Sequence, residues 1–389
     1  MTSRTTPYRL QKFVVTEGPK GHRVSAALDG SEVWFESEGF GAPHEAGNAF
    51  LSVALLAAMA EGRDLDMSDL PPVSPKLLDA VPTVQAIWTQ WNPRLSAIEV
   101  RANRSQHAEP GTGESLFFSG GIDATHSALE GTPGRQLVFV SGFDHAVDRE
   151  IVPTTTARLA RLAQQLGSSL TMVESNWVEW RRDRRLSGAL MHGGCLTAVA
   201  HLLGHGHITI SSSNSFKRLT PWGTHPLVDP LWSSERTTIH HWGNDCSRAE
   251  KIARVVREPA LHADLWVCHE RQIGNCGHCA KCARTRLAFH LLGSELPTEG
   301  GTTLSDPVTA YLPHLKSGSE HVYIEEMQVL ARAAGHDQAL HLLERGARRL
   351  ARRHLLRDLR NAAFTGSAQR RMATTDLQPW GYGPAPRSL

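Results

Sequence analysis

The sequence has no hydrophobic run long enough to cross a bilayer. Its longest apolar-rich stretch, Ala49 to Ala60, falls short of the ~18–20 residues that a membrane-spanning helix needs. The first residues also have no apolar segment behind them of the kind that a secretory signal carries. We therefore expect a cytoplasmic protein with no membrane partner.

Net charge is almost absent as well. The 41 lysines and arginines are balanced by 39 acidic residues, so the overall charge gives no argument for binding nucleic acid or an anionic membrane. Basic residues concentrate locally, in a helical pattern from Glu344 to Phe364 where arginines alternate with leucines. Such a face is most often simply solvated, but binding to a membrane surface or to nucleic acid stays open.

Cysteines are few, and four of the six lie close together. Cys268 is followed by Cys276, Cys279 and Cys282, which form two overlapping C-x-x-C steps. Four thiolates suffice for a closed tetrahedral zinc site with no position left for water. We expect a structural zinc ion in a reducing compartment, with an iron–sulfur cluster as the lesser alternative. A DNA-binding zinc finger is less favoured, because no helix with a basic face follows the cysteines: the next segment, Ala283 to Leu292, is mostly apolar.

Two common nucleotide-binding signatures are missing. The Gly-Lys-Ser/Thr of a Walker loop is missing, which argues against P-loop kinases. The Gly-x-Gly-x-x-Gly fingerprint of dinucleotide binding is missing too, which argues against dehydrogenases. Instead an apolar run, 115–118, breaks into Ser119-Gly120-Gly121 and resumes as a helical pattern. Glycines at a strand-to-helix turn let backbone N–H groups approach an anion. Asp123, at the helix start, is placed to hold the magnesium of a nucleotide.

This stretch resembles the PP-loop of the ATP pyrophosphatases, the adenine-nucleotide α-hydrolase-like superfamily. The resemblance implies a Rossmann-like or flavodoxin-like parallel sheet, cleavage of ATP between its α and β phosphates, and a substrate oxygen activated as an adenylate. By position, Ser119 and Asp123 would be catalytic. The nucleotide-binding residues carried over in this way are Ser119, Gly120, Gly121, Ile122, Asp123 and Thr125. The chain departs from the family at Ala124, where a hydroxyl residue is expected, although Thr125 follows.

The cysteine pattern points to the same superfamily. With Arg284, Ala288 and Phe289 behind it, the pattern is similar to the zinc element of the 7-cyano-7-deazaguanine synthase family. Members of that family convert a carboxylate through an adenylate, with ammonia as nucleophile, to an amide and then a nitrile. The resemblance covers roughly residues 115–292, so the substrate does not carry over.

The pattern of apolar segments predicts an α/β protein with several parts. Around Asp29-Gly30 it predicts a hairpin, and between 115 and 292 it alternates strands with helices as parallel βαβ units require. The predicted strands are 115–118, 136–141, 169–174 and 207–211, and the helices between them are 122–130, 151–166 and 188–204. The predicted parts are an N-terminal α+β domain (1–105), a PP-loop domain (115–292) with its zinc element (268–282), a helical region (293–364) and a flexible tail (365–389).

Further candidates follow the other predicted strands, because ligands of parallel sheets bind at the carboxyl ends of the strands. Phe143 and Asp144 follow the second strand, where superfamily members place the adenosine. Lys217 and Arg218 follow the fourth, and either cation would neutralise charge on the departing pyrophosphate. For each of these two segments, a solvated turn without a binding role is the alternative interpretation.

The expected function is that of an ATP-dependent ligase. A substrate carboxylate or amide oxygen would be adenylated with loss of pyrophosphate, and a nitrogen nucleophile would then displace AMP. The expected cofactors are ATP, magnesium and zinc, and the expected partner is a small-molecule substrate. Two alternatives stay open: a sulfurtransferase acting on tRNA or a small molecule through Cys195 or Cys246, and a nucleotide-binding module without catalysis. A homodimer also stays open.

Overall fold

The computed structural model describes residues 6–41, 45–106, 109–270, 274–299, 306–315 and 320–363. These residues form two compact units. The first comprises the described parts of Met1–Ser212 and Pro221–Gly243, and the second those of Ser213–Thr220 and Asn244–Leu389. The tail predicted for 365–389 lies outside the described residues.

The first unit contains a ten-stranded sheet and its helices. The strands are β1 (Tyr8–Gly18), β2 (Gly21–Leu28), β3 (Ser31–Ser37), β4 (Leu65–Asp66), β5 (Val100–Arg101), β6 (Glu114–Phe117), β7 (Gln136–Ser141), β8 (Leu170–Ser175), β9 (His207–Ser211) and β10 (Thr238–Trp242). The helices are α1 (Ala46–Glu61), α2 (Pro75–Trp91), α3 (Ile122–Glu130), α4 (Val152–Gln165), α5 (Trp177–Asp183) and α6 (Gly188–Leu203).

The second unit is helical in its described part. Its α-helices there are α7 (Arg248–Val256), α8 (Ala280–Leu291), α9 (Pro307–Tyr311), α10 (Glu320–Ala333) and α11 (Asp337–Ala363). Helix α11 contains the basic pattern predicted from Glu344 onward. Within the described ranges, every helix is too short or too polar to span a bilayer.

Strand β6 lies in the middle of the parallel part of the sheet. The strand order is β10-β9-β6-β7-β8-β3-β2-β1-β4-β5, and β10, β9, β6, β7 and β8 are all parallel to one another. The chain thus moves outward from β6 to β7 and β8, then returns to the other side of β6 for β9 and β10. This is the order of a Rossmann-like sheet, with its switch point between β6 and β9.

The predictions for the α/β segment are confirmed. All four strands and all three helices are present, with ends that move by one residue at most. The Asp29-Gly30 hairpin also forms, and both turn residues have positive φ, 47° and 84°. Strand β5 is only two residues long, because only Val100 and Arg101 pair with β4.

The sheet is mixed, whereas a parallel sheet was predicted. Strand β3 pairs antiparallel with β8, which joins the N-terminal strands to the parallel part. Glu36 and Glu174 pair across this junction and are both buried. Glu36 pairs with Arg23 (2.9 Å), and Glu174 pairs with Lys20. These partners matter because a buried charge without one would destabilise the fold. The domain boundary expected near residue 105 stays a prediction.

Helices α1 and α6 pack tightly against each other. Nearly all of their residues are buried, as expected for helices that are apolar on all sides. A side chain at Gly194 would collide with the carbonyl oxygen of Ser52 on α1. The glycine therefore permits the close approach of the two helices.

A side chain at Gly142, directly after β7, should destabilise the first unit. Gly142 has φ = 87°, and a Cβ there would overlap the carbonyl oxygen of Ser175 at the end of β8. Gly134 is a matched control, because it has φ = 79° but open space around it. We expect Gly142→Ala to lower the free energy of unfolding by about 1–3 kcal/mol more than Gly134→Ala, measured by urea unfolding. Equal losses would contradict the close approach of these two strand ends.

Candidate functional site

The Ser-Gly-Gly turn stands at the carboxyl end of β6, beside the switch point of the sheet. Gly120 has φ = 71°, a conformation that glycine adopts without strain. Gly121 is extended and precedes α3, and its N–H points at the Ser119 hydroxyl oxygen (3.4 Å). The turn thus presents backbone N–H groups and the N-terminus of α3 at the place where open α/β sheets bind phosphates.

The side chains of this loop differ in exposure. Ser119 is exposed, and Asp123 is half-buried in the first turn of α3. Ile122 is buried and anchors the start of the helix. Ala124, where the family has a hydroxyl, is also buried. The hydroxyl of Thr125 lies inside the protein and has no hydrogen-bond partner among the described residues.

An aromatic group lies beyond the carboxyl ends of β7 and β8. Phe143 stacks on Trp177, with ring centroids 5.5 Å apart and an angle of 17° between the planes. Phe143 also meets His192 edge-on, and His192 contacts Trp222 with centroids 5.0 Å apart. Asp144 is exposed next to this group. The structure thus brings both predicted adenosine-side residues to the same rim of the sheet as the Ser-Gly-Gly turn.

Burial keeps His192 and Cys195, both on α6, in their uncharged forms at neutral pH. Burial lowers the pKa of His192 to about 4, and its ring nitrogen Nε2 lies 3.1 Å from the hydroxyl oxygen of Thr224. Burial also raises the pKa of Cys195, one turn further along α6, well above its usual value. A buried thiol of this kind is a poor nucleophile.

The four cysteines of the second unit converge. Their sulfur atoms all lie within 4.8 Å of one another, and the Cys268–Cys279 and Cys276–Cys282 sulfur pairs are 3.9 Å apart. Tetrahedral zinc with Zn–S bonds of ~2.3 Å requires sulfur separations of ~3.8 Å. The cluster is buried, so it has the geometry and chemistry of a structural zinc site.

Backbone and side-chain contacts shape this cluster. The sulfur of Cys276 accepts the N–H of Cys279 (3.3 Å), and the sulfur of Cys279 accepts the N–H of Cys282 (3.4 Å) at the start of α8. Hydrogen bonds from Cys282 lower the pKa of Cys279, while the same pairing raises that of Cys282. Four thiols alone therefore do not all ionise, and a cation is needed to hold four thiolates together.

The buried side chain of Asn275 ties the two cysteine segments together. Its oxygen accepts the N–H of Val267, next to Cys268, at 2.9 Å. Its nitrogen donates to the carbonyl oxygens of Leu265 (2.9 Å) and Pro297 (3.2 Å). Asn275 itself precedes Cys276, so these bonds fix the first cysteine relative to the other three.

The remaining predicted residues also belong to the second unit. Lys217 and Arg218 form a short 3-10 helix with Phe216. Lys217 is exposed, and Arg218 is paired with Glu325 of α10. Cys246 is half-buried. The roles of these residues stay predictions.

Comparison with known proteins gives one short similarity. A segment of 53 residues, 14% of this chain, is 38% identical to the 7-cyano-7-deazaguanine synthase of Rhizobium meliloti (strain 1021). The match spans only about a fifth, 22%, of the length of that relative. No family model matches the chain, and no solved structure matches it. The similarity supports a relationship to the PP-loop superfamily, and it suggests an enzyme without defining the reaction.

Sequence reasoning missed two parts of this region. The bridging role of Asn275 is not predicted, because an isolated asparagine carries no pattern. Its position directly before Cys276 is the one signal in the sequence. Trp177 lies in the core, but one face of its ring also supports Phe143, and nothing in the sequence pairs these two residues. Contacts between residues so distant in sequence appear only in the folded chain.

The purified protein should contain about one zinc ion per chain. Cys279→Ser should remove most of it, because a serine hydroxyl does not replace a thiolate ligand. Cys246→Ser is the control and should retain the metal, since Cys246 lies outside the cluster. Metal analysis of freshly purified protein is the measurement. A wild-type protein without zinc would refute the site, and iron with visible absorption would favour the iron–sulfur alternative.

Asn275→Ala should weaken zinc binding without removing a ligand. Loss of its three hydrogen bonds would loosen the segment that carries Cys268, and supporting residues of this kind commonly contribute 10- to 100-fold to metal affinity. Transfer of zinc to a coloured chelator measures the effect. Asn103→Ala is the control. It removes a single hydrogen bond, from the Asn103 side-chain amide to the carbonyl oxygen of Ser68 in the first unit, and should leave zinc transfer to the chelator unchanged. Equal zinc retention by both variants would contradict this role.

Proposed function

We propose that this chain is an ATP-dependent ligase of the PP-loop type that forms AMP and pyrophosphate. The observation that carries the proposal is the position of the Ser-Gly-Gly turn, at the carboxyl end of β6 and beside the switch point of a Rossmann-ordered sheet. The similarity to a 7-cyano-7-deazaguanine synthase, over a short segment, supports the same class.

The loop offers what binding of a pyrophosphate group requires. The N–H groups after Gly120 and the N-terminus of α3 attract negative charge, and the exposed Ser119 hydroxyl adds a donor at the same turn. Asp123 is half-buried in the first turn of α3, where a carboxylate can hold a magnesium ion against the phosphates. The Thr125 hydroxyl lies one helical turn from Gly121 and would gain a partner if the loop shifts on binding.

The proposed reaction has two steps. A carboxylate or amide oxygen of the substrate attacks the α-phosphorus of ATP, the bond from that phosphorus to the β-phosphate oxygen breaks, and pyrophosphate leaves. A nitrogen nucleophile then attacks the activated carbon, and AMP leaves as that carbon–oxygen bond breaks. Positioning and electrostatic stabilisation supply most of the catalysis in such steps. Lys217 and Arg218 are the cations proposed to neutralise the leaving pyrophosphate.

Phe143 and Asp144 are proposed to contact the adenosine. The ring of Phe143 is only partly buried and is backed by Trp177, so it is held in one orientation. Asp144 is exposed beside it and supplies a hydrogen-bond acceptor. An aromatic ring with a neighbouring carboxylate suits a nucleoside, which has a flat base and hydroxyl groups.

The sulfurtransferase alternative has less support. Cys195 is fully buried and its pKa is raised, so it is not a ready nucleophile. Cys246 is half-buried and remains the only one of the two proposed cysteines with access to solvent. Full activity in a Cys195→Ser, Cys246→Ser double variant would exclude this alternative.

Asp123→Asn should weaken binding of magnesium-bound nucleotide by about tenfold or more, because the loop loses the charge that holds the cation. The measurement is calorimetry with α,β-methylene-ATP and magnesium. Glu179→Gln is the matched control: Glu179 is an exposed acid in the first turn of α5, after β8 of the same sheet. Its removal should not change nucleotide affinity. A wild-type protein that does not bind the analogue would overturn the proposal.

Turnover is tested with ATP labelled at its α-phosphate, ammonium and a panel of carboxylic acids. We expect labelled AMP to appear with at least one acid and to fall by about 10²-fold in Asp123→Ala. Undiminished AMP formation in Asp123→Ala would show that the loop is assigned wrongly. Nucleotide binding without AMP formation across the panel would favour the module without catalysis.

A further inference from the structure

A second cavity of the first unit lies toward the amino ends of the strands, under the end of α3. Its volume is about 260 Å³, and Glu114, Glu130, Arg135, His207, Thr209 and His240 are among the residues that line it. The Ser-Gly-Gly turn is at the opposite end of β6, so this cavity is separate from the proposed nucleotide site. The proposed ligase reaction assigns it no role.

Two histidines in this cavity have ring nitrogens close together. His207 on β9 and His240 on the neighbouring strand β10 are both exposed, and their rings stack with centroids 5.3 Å apart. The Nδ1 atom of His207 lies 3.0 Å from the Nε2 atom of His240. Two nitrogens bound to the same metal ion at ~2.0–2.1 Å are separated by ~2.9–3.4 Å in square or tetrahedral geometry. The pair therefore needs little rearrangement to bind one ion.

A carboxylate, that of Glu114, lies next to the histidine pair. Glu114 is the register partner of His207 across β6 and β9, whereas His240 lies two residues beyond Thr238, the register partner of His207 on β10, and so on the same face of the sheet. The negative charge of Glu114 acts on the His240 ring. A cation in the cavity would thus meet two imidazoles and a nearby carboxylate.

The other charged groups of the cavity are Glu130 and Arg135, and the guanidinium of Arg135 interacts electrostatically with Glu114. Glu130 adds a second carboxylate at the end of α3. The guanidinium of Arg135 donates to the carbonyl oxygen of Ser127 within the protein.

We propose that His207 and His240 bind a divalent transition-metal ion of the kind that imidazole prefers, such as Ni²⁺, Cu²⁺ or Zn²⁺. Glu114 supplies the neighbouring carboxylate, and water fills the remaining positions. Metal binding breaks the hydrogen bond between the two rings: the proton between them moves through solvent to the other nitrogen of its own ring, so each neutral imidazole keeps one N–H and offers its lone pair to the metal. The site is independent of the four cysteines, which belong to the other unit.

The test uses the full chain with its cysteine cluster saturated with zinc. Titration with Ni²⁺, followed by calorimetry, should show one additional ion per chain. His207→Ala and His240→Ala should each weaken this binding by about tenfold or more, and lowering the pH should weaken it in the wild type because protons compete for the rings. His336→Ala is the matched control, since His336 and His290 form another close pair of histidine rings, with centroids 5.5 Å apart and tilted planes.

A spectroscopic measurement identifies the ligands without a variant. Cu²⁺ bound to the zinc-saturated wild type should give an electron paramagnetic resonance spectrum with nitrogen couplings from two imidazoles. Absence of Ni²⁺ binding, binding that persists unchanged in both cavity variants, or binding lost in His336→Ala would overturn the proposal. A copper spectrum without nitrogen couplings would overturn it as well. These outcomes are separate from nucleotide binding, which tests the ligase proposal.

Discussion

The central position of β6 controls the organisation of the first unit. Because β6 is hydrogen-bonded to parallel strands on both sides, the chain must leave its carboxyl end through a crossover helix and later return to its other side. The loop that leaves β6 therefore stands at the switch point, where no strand-to-helix connection closes over it. The left-handed backbone at Gly120 then turns the chain directly into α3. The position of the Ser-Gly-Gly turn follows from this arrangement.

The same arrangement produces the second cavity. Neighbouring parallel strands begin at the same edge, so the first residues of β6 and β9 lie side by side, with β10 next to them. This places Glu114 beside His207, with His240 two residues further along β10 on the same face, although the three residues are far apart in the sequence. One sheet thus provides a candidate nucleotide site at its carboxyl edge and a candidate cation site toward its amino edge.

The second unit depends on a different constraint. Four sulfurs held within 4.8 Å of one another are stable only if they share a proton network or a cation, because four thiolates repel one another. Asn275 holds the segment of Cys268 against the other three cysteines through hydrogen bonds to backbone groups.

The sequence by itself determined the local elements and the two motifs. Strands and helices between 115 and 211 follow from apolar periodicity, and the cysteine spacing predicts a cluster, because both are properties of residues near one another in the chain. Tertiary structure alone decided the pairing of β3 with β8, the burial of Thr125, the stacking of Phe143 on Trp177 and the meeting of His207 with His240. These features join segments separated by tens of residues, and no local propensity specifies such contacts; they arise only when the strand order is fixed.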